Sequence, residues 1–239
     1  MTTVALIADA HLGGPGGQAA PLVAQLDALA GQGAEHLVVM GDLFQGWVGL
    51  RRFETPEVAA VVAALGRLRA AGVRVDYIEG NRDFFLAEGP YARVFDSVTG
   101  EVAFEAGGVR YLAVHGDGLD RRDWQYQFWR RASKSAPSRF VLARTPRRLA
   151  RRLVASTERR LARTNRRHKR KVPEPVIRAY AERRLAEGHD VLLLGHFHEE
   201  RRWQVTGGEV WVLEAWFTSR RVEWLPPRGG ARGGPEGEA

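Results

Sequence analysis

Residues 4–11 read Val-Ala-Leu-Ile-Ala-Asp-Ala-His, an apolar run set directly against an aspartate and a histidine. Small and branched apolar residues in unbroken succession suit a strand covered on both faces. The same junction recurs along the chain: residues 37–40 run into Gly41-Asp42, and residues 73–78 into Gly80-Asn81-Arg82-Asp83. Residues 109–114 run into His115-Gly116-Asp117, and residues 191–194 into Gly195-His196-Phe197-His198. Residues 210–213 form one more β-type run. Between the first three runs lie helical patterns, 21–30 and 57–71, with Leu22, Leu26 and Leu29 at helical spacing. Strands alternating with helices predict an α/β fold. The carboxyl ends of strands in such a sheet share one edge, where ligand crevices form, so all five polar clusters can converge on one site.

The residue types in those clusters suit a hard or borderline divalent cation: oxygen from Asp and Asn, nitrogen from His. The chain has no cysteine, which excludes disulfides, thiolate metal sites and cysteine nucleophiles. Asp9, His11, Asp42, Asn81, His115, His196 and His198 make seven candidate ligands, more than one tetrahedral ion needs. Seven point to two ions sharing a carboxylate, with Asp42 the natural bridge. Two ions about 3.5–4 Å apart clamp the attacking and leaving oxygens of a phosphoryl displacement and lower the pKa of a bound water. Glycines beside Asp42, Asn81, His115 and His196 let the chain turn sharply into the site. Taken singly, each cluster has a plainer reading, a turn or a hydrogen-bonded histidine; His36 and His189, just before strands and with no partner pattern, illustrate it. The five together, in this order, favour the metal site.

Hydrophobic residues make up 44% and charged residues 27% of the 239, which excludes wholesale disorder. No apolar stretch approaches the ~20 residues of a membrane-spanning helix, and the amino terminus lacks the features of a signal peptide. A cytoplasmic protein is expected. Charge is uneven: residues 121–171 hold 19 Lys or Arg against Asp123 and Glu158, a net of +17, leaving −9 on the rest of a chain whose total is +8. Apart from a solvated helical face, such a segment suits an anionic partner: nucleic acid, anionic lipid or a phosphorylated substrate. Within it Trp124, Phe128 and Trp129 form an aromatic patch at helical spacing. Pro146 follows Thr145 as at a helix start, and Leu149, Leu153, Val154, Thr157 and Leu161 then make an apolar stripe flanked by arginines. The expected organisation is a core of residues 1–120 and 172–226, a basic amphipathic helical cap at 121–171, and a disordered Gly- and Pro-rich tail at 227–239.

The Asp-x-His, Gly-Asp, Gly-Asn-Arg-Asp, His-Gly-Asp and Gly-His-x-His blocks over residues 1–217 resemble those of the calcineurin-like metallophosphoesterases. The resemblance implies a four-layer αββα sandwich with one metal on Asp9, His11, Asp42 and His198 and another on Asp42, Asn81, His115 and His196. Manganese is the usual occupant in bacterial members. Most members carry His after the Asn, where it protonates the leaving group; Arg82 stands there in this chain. An arginine cannot act as a general acid near neutrality, but its planar fork can grip a phosphate and neutralise developing charge. That favours a leaving group departing without a proton, such as one phosphate of a pyrophosphate.

Gly80-Asn81-Arg82-Asp83-Phe84 is similar to the block of the UDP-2,3-diacylglucosamine hydrolases of lipid A biosynthesis, as are Gly41-Asp42-Leu43-Phe44 with Trp47, and Asp123, Tyr126 and Gln127 after His115-Gly116-Asp117. The likeness implies hydrolysis of UDP-2,3-diacylglucosamine to UMP and the diacylglucosamine 1-phosphate. Asn81, Arg82 and His196 would hold the phosphate, Asp123 would orient the sugar, and Tyr126, Asn165 and Lys169 would contact substrate. The cap would take the acyl chains, and its arginines would hold the enzyme against the anionic inner face of the cell membrane. Three features depart from that pattern: Phe197, Glu199 and Glu200 in the last block, Gly49 and Leu50 where paired acids are usual, and the arginine density of the cap. Another lipid or nucleotide pyrophosphate, or a nucleic-acid phosphodiester bound by the basic segment, is the alternative substrate. A non-enzymatic scaffold of the same fold is the third reading, opposed by the full ligand set.

Overall fold

The computed structural model describes residues 2–14, 18–120, 123–146, 148–149 and 173–226. The opening apolar run becomes strand β1 (Val4–Ile7), buried throughout. It lies in a sheet with β2 (His36–Val39), β4 (Arg74–Ile78), β6 (Ser97–Thr99) and β12 (Glu223–Leu225), ordered β12-β1-β2-β4-β6. Every neighbour pair is parallel except β1–β12. A second sheet, β10-β11-β9-β8-β7, is built from β7 (Glu101–Ala106), β8 (Val109–Val114), β9 (Val191–Leu194), β10 (Arg201–Val205) and β11 (Gly208–Val212). Its centre is parallel and its two edges antiparallel. A two-stranded ribbon joins β3 (Trp47–Val48) to β5 (Asp83–Phe84).

Strand periodicity divides the side chains among three cores. Ala5, Ile7, Leu37, Val39, Val75 and Tyr77 meet helices α1 (Ala19–Leu29) and α2 (Pro56–Ala70) through Leu22, Leu26, Val61 and Leu65. Their alternates Val4, Leu6, Val38, Met40 and Ile78 meet Tyr111, Ala113, Val191 and Leu193 of the second sheet. Leu112, Val114, Leu192, Leu194, Val210 and Val212 on that sheet's outer face pack on Ile177, Ala181 and Leu185 of α5 (Glu174–Leu185). Helix, sheet, sheet and helix thus stack as four layers, the αββα arrangement that the resemblance implied. α2 begins at Pro56, with the Thr55 side chain accepting from the Val58 N–H, one residue earlier than its apolar pattern indicates.

Helices α3 (Trp124–Ser133) and α4 (Ala136–Arg144) follow the second sheet's β8, and α6 (Trp216–Ser219) precedes β12. Asp123 and Ser135 cap the first two, and Pro137 sits in the first turn of α4. The apolar stripe beyond Leu149 and the tail at 227–239 lie outside the described residues. His36 opens β2 instead of preceding it by one residue, and it is the hydrogen-bonded histidine expected, its Nε2 2.9 Å from Asp76 Oδ2. The partner is 40 residues away on β4, so no local pattern announces it. Among the described residues no helix is long and apolar enough to cross a membrane.

Candidate metal centre

Backbone pairing continues past the strand ends and draws the five clusters together. Beyond β1 and β2, the Asp9 N–H donates to the Gly41 carbonyl (3.2 Å) and the His11 N–H to the Asp42 carbonyl (3.0 Å). In the second sheet the Gly195 N–H donates to the His115 carbonyl (3.1 Å). The sheets are joined by Asp9, whose Oδ2 accepts the His196 N–H at 2.7 Å, and by His115, whose Nδ1 donates to the Met40 carbonyl at 2.8 Å. That bond fixes the tautomer and leaves Nε2 as a lone-pair donor. The Asp83 carboxylate gathers the Asp42 and Gly80 N–H groups, each at 2.9 Å.

The donor atoms converge in two groups that share Asp9. Asp9, His11 and His198 form one, with Asp9 Oδ1 3.1 Å from His198 Nε2 and 3.6 Å from His11 Nε2. Asp9, Asp42 and His115 form the other, with His115 Nε2 3.7 Å from Asp42 Oδ1 and 3.3 Å from Asn81 Oδ1. The second oxygen of Asp42 faces His11 Nε2 at 3.9 Å, so one carboxylate looks into both groups. His196 stacks edge-on against His115, ring centroids 5.2 Å apart. All seven expected ligands therefore lie in one neighbourhood.

A divalent cation fits this donor set. His11 Nε2 and His198 Nε2 point at each other at 3.1 Å, an arrangement two neutral imidazoles share only when one is a donor, and which a cation between lone pairs relieves. Gly80 leaves room for the Asp42 carboxylate, because a Cβ there would stand 2.2 Å from Oδ1. Among the described residues seven non-glycine positions have a left-handed backbone, and five of them are Asp9, His11, Asp42, His196 and His198. That conformation costs about 1–2 kcal/mol at an ordinary residue and concentrates at functional sites.

Electrostatics run in the same sense. Burial opposes ionisation of Asp9, but bonds from His11 and His198 and the nearby His115 hold its pKa well below the usual carboxylate range. Burial also disfavours charge on His115, yet the Asp42, Asp9 and Asp117 carboxylates outweigh it and raise its pKa. Asp83 behaves oppositely: burial, then the Asp42 charge, push it up to about 7.

Arg82 is placed beside the centre, its Nε 3.7 Å from Asp42 Oδ2 and its Nη1 donating to the Gln45 carbonyl at 3.1 Å. Arg82 Nε is buried without a hydrogen-bond partner. Asp123 is exposed and caps α3, accepting the Tyr126 N–H at 2.9 Å, while the Tyr126 hydroxyl donates to Asp117 Oδ2 at 2.7 Å. Asn165 and Lys169 lie outside the described residues. Two further groups belong to the site's surroundings: Asp117, named from sequence only as part of its block and given no role, and Lys134, which no motif marked. Asp117, held well below the usual carboxylate range by His115 and Arg130 in spite of burial, receives Tyr126 and Arg130. Lys134 donates to the Gly80 carbonyl at 2.7 Å. The departures also find places: Phe197 packs on the α5 core, and a Cβ at Gly49 would stand 2.1 Å from the Phe85 carbonyl oxygen, which excludes an acidic side chain there.

No family model matches the chain. A UDP-2,3-diacylglucosamine hydrolase from Ralstonia nicotianae is 34% identical over 197 residues, covering 77% of this chain and 72% of that protein. Another from Chromobacterium violaceum is 32% identical over 209 residues, covering 84% and 85%. Among solved structures, the phosphopantetheinyl hydrolase of Mycobacterium tuberculosis is similar at 17% identity, covering 97% of this chain and 99% of that one, with a TM-score of 0.49.

Proposed function

The chain belongs to the UDP-2,3-diacylglucosamine hydrolase family, and from that premise we propose that it hydrolyses the pyrophosphate of UDP-2,3-diacylglucosamine, yielding UMP and 2,3-diacylglucosamine 1-phosphate. Asp9, His11, Asp42 and His198 would hold one divalent cation, and Asp42, Asn81, His115 and His196 a second, with manganese as the expected metal. Such a pair, when bound, lowers the pKa of water and neutralises charge on the transferring phosphoryl group. The observation that carries this reading is Asp42, whose two oxygens face His11 and His115 separately.

Arg82 supplies fixed positive charge to the α-phosphate and no proton. Asn81 and His196 share in gripping that phosphate, and the departing sugar phosphate needs no general acid, which suits a site with arginine in this place. Tethering to Gln45 pre-orients the guanidinium, so little order has to be imposed when substrate arrives. The sugar is assigned to Asp123, further substrate contacts to Tyr126, Asn165 and Lys169, and the acyl chains to the apolar stripe of the 121–171 cap. Support for peripheral attachment to the anionic inner face of the cell membrane comes from α3 and α4, where Trp124, Phe128, Phe140 and Val141 are exposed beside Arg131 and Arg144.

The deciding assay compares UDP-2,3-diacylglucosamine with bis-p-nitrophenyl phosphate and single-stranded DNA, with and without manganese. Manganese-dependent release of UMP, much faster than either other cleavage, is expected; cleavage of DNA alone would transfer the basic segment to a nucleic-acid role. Arg82→Ala should lower turnover about 10²–10³-fold with metal content, read by elemental analysis, unchanged.

A further inference from the structure

Helix α3 carries none of the seven expected ligands, yet it holds a loop from each sheet. In its first turns the Tyr126 hydroxyl and Arg130 Nε both donate to Asp117 Oδ2 at 2.7 Å, two residues beyond His115. Just past its last turn the Lys134 ammonium donates to the Gly80 carbonyl at 2.7 Å, immediately before Asn81, and lies 3.7 Å from Glu79. The Gly80 loop follows β4 of the first sheet and the Asp117 loop follows β8 of the second. Across the gap between them stand Asn81 Oδ1 and His115 Nε2, 3.3 Å apart. Asp117's side chain is 3% exposed and that of Lys134 15%, so both ends of the helix are anchored inward.

We infer that α3 is a strap across the two sheets, in which Arg130 and Lys134 are positioning residues that set the separation of Asn81 and His115 and thereby the affinity of the site for its divalent cation. The inference rests on the metallohydrolase reading and deepens it. Charged donors to a buried carboxylate or carbonyl make the stronger hydrogen bonds of proteins. Groups hydrogen-bonded to a metal's ligands typically carry about 10–100-fold in its affinity; Lys134 and Arg130 bond instead to the residue before Asn81 and two beyond His115, one step further out, so the low end of that range applies. Since both anchors act on ligand-bearing loops, their loss acts on cation binding and on turnover at limiting cation, and leaves KM for the lipid substrate in place.

The test is calorimetric titration of manganese alone into the full chain, as wild type, Lys134→Met, Lys134→Arg and Arg130→Met. Hydrogen exchange of residues 79–83 and 115–119, and kcat and KM, are measured alongside. Affinity about tenfold weaker in Lys134→Met and Arg130→Met, restored in Lys134→Arg, is expected, with faster exchange in both loops whichever anchor is lost. Excess manganese should recover kcat at unchanged KM. If Arg130→Met fails to fold because it strands the Asp117 carboxylate, Lys134→Met decides alone. Wild-type affinity in a folded Lys134→Met sinks the strap, as does a raised KM at unchanged affinity, which would make Lys134 a substrate contact. No manganese binding by the wild type overturns the reading beneath it as well; binding and turnover by the wild type with indistinguishable variants overturn the strap alone.

Discussion

His36 and His11 are both buried beside an aspartate, at opposite ends of the same parallel pair of strands. At the amino end of β2, His36 Nε2 meets Asp76 Oδ2 at 2.9 Å, Arg74 Nε meets the same oxygen at 2.8 Å, and the Ser97 hydroxyl donates to Oδ1 at 2.7 Å. Donors and acceptors there are matched. Beyond the carboxyl end of β1, His11 Nε2 faces His198 Nε2, with Asp9 and Asp42 oxygens at 3.6 and 3.9 Å, and His11 Nδ1 is buried without a hydrogen-bond partner. Lone pairs there converge on a common point, and the backbone at Asp9, His11 and Asp42 is left-handed. Matched partners on relaxed backbone mark a structural pair; converging acceptors on strained backbone mark a site suited to a positive charge.

The sharpest way to break that comparison is at Asp42. Asp42→Ala should abolish metal-dependent turnover by about 10³-fold or more and lower bound metal while leaving the fold intact by circular dichroism; retained activity would remove Asp42 from the site. Gly80→Ala comes next. Its Cβ would fall 2.2 Å from Asp42 Oδ1, and a displacement of about 1 Å costs on the order of 10²-fold in rate, so kcat should fall with a smaller loss of thermal stability. The smallest effect on activity is expected at the matched pair, where Asp76→Asn should leave turnover per folded molecule unchanged. It should cost about 2 kcal/mol of unfolding free energy near neutrality, read by urea denaturation, because buried donors lose a charged acceptor.

The same pair carries a pH signature. Although burial opposes it, His36, Ser97 and Arg74 lower the Asp76 pKa from 3.8 to about 2. A depressed carboxylate contributes stability that is complete above the unfolded-state value and lost as pH falls through the folded one. Wild-type stability should therefore decline between pH about 4 and about 2, and the Asp76→Asn variant should show a flatter limb over that interval.

Residues such as Asp9, Asp42 and His115 were legible because each follows a buried strand within one to three positions, so burial and chemistry are adjacent in the chain. The layered architecture came through resemblance rather than periodicity, since a continuous apolar run looks the same in one sheet or two. Strands β3 and β5 escape a sequence reading because they span two residues each. β10 escapes because it is an edge strand, exposed or half-buried along its length. Lys134 had no signal at all: it is one of 19 basic residues in its segment, and its 2.7 Å bond is to a carbonyl, Gly80, that lies 54 residues away. The glycines beside the ligands drew attention to backbone freedom, and Gly41 and Gly116 do take positive φ, but so do five of the ligands themselves.

Those five left-handed ligands also set a slope on which the protein evolves. Glycine at any of them would relax a conformation costing about 1–2 kcal/mol, so substitutions that discard chemistry can be rewarded with stability. An inert descendant of this chain could thus be the hardier molecule, and the active form persists only where selection for turnover outweighs the pull toward a more comfortable fold.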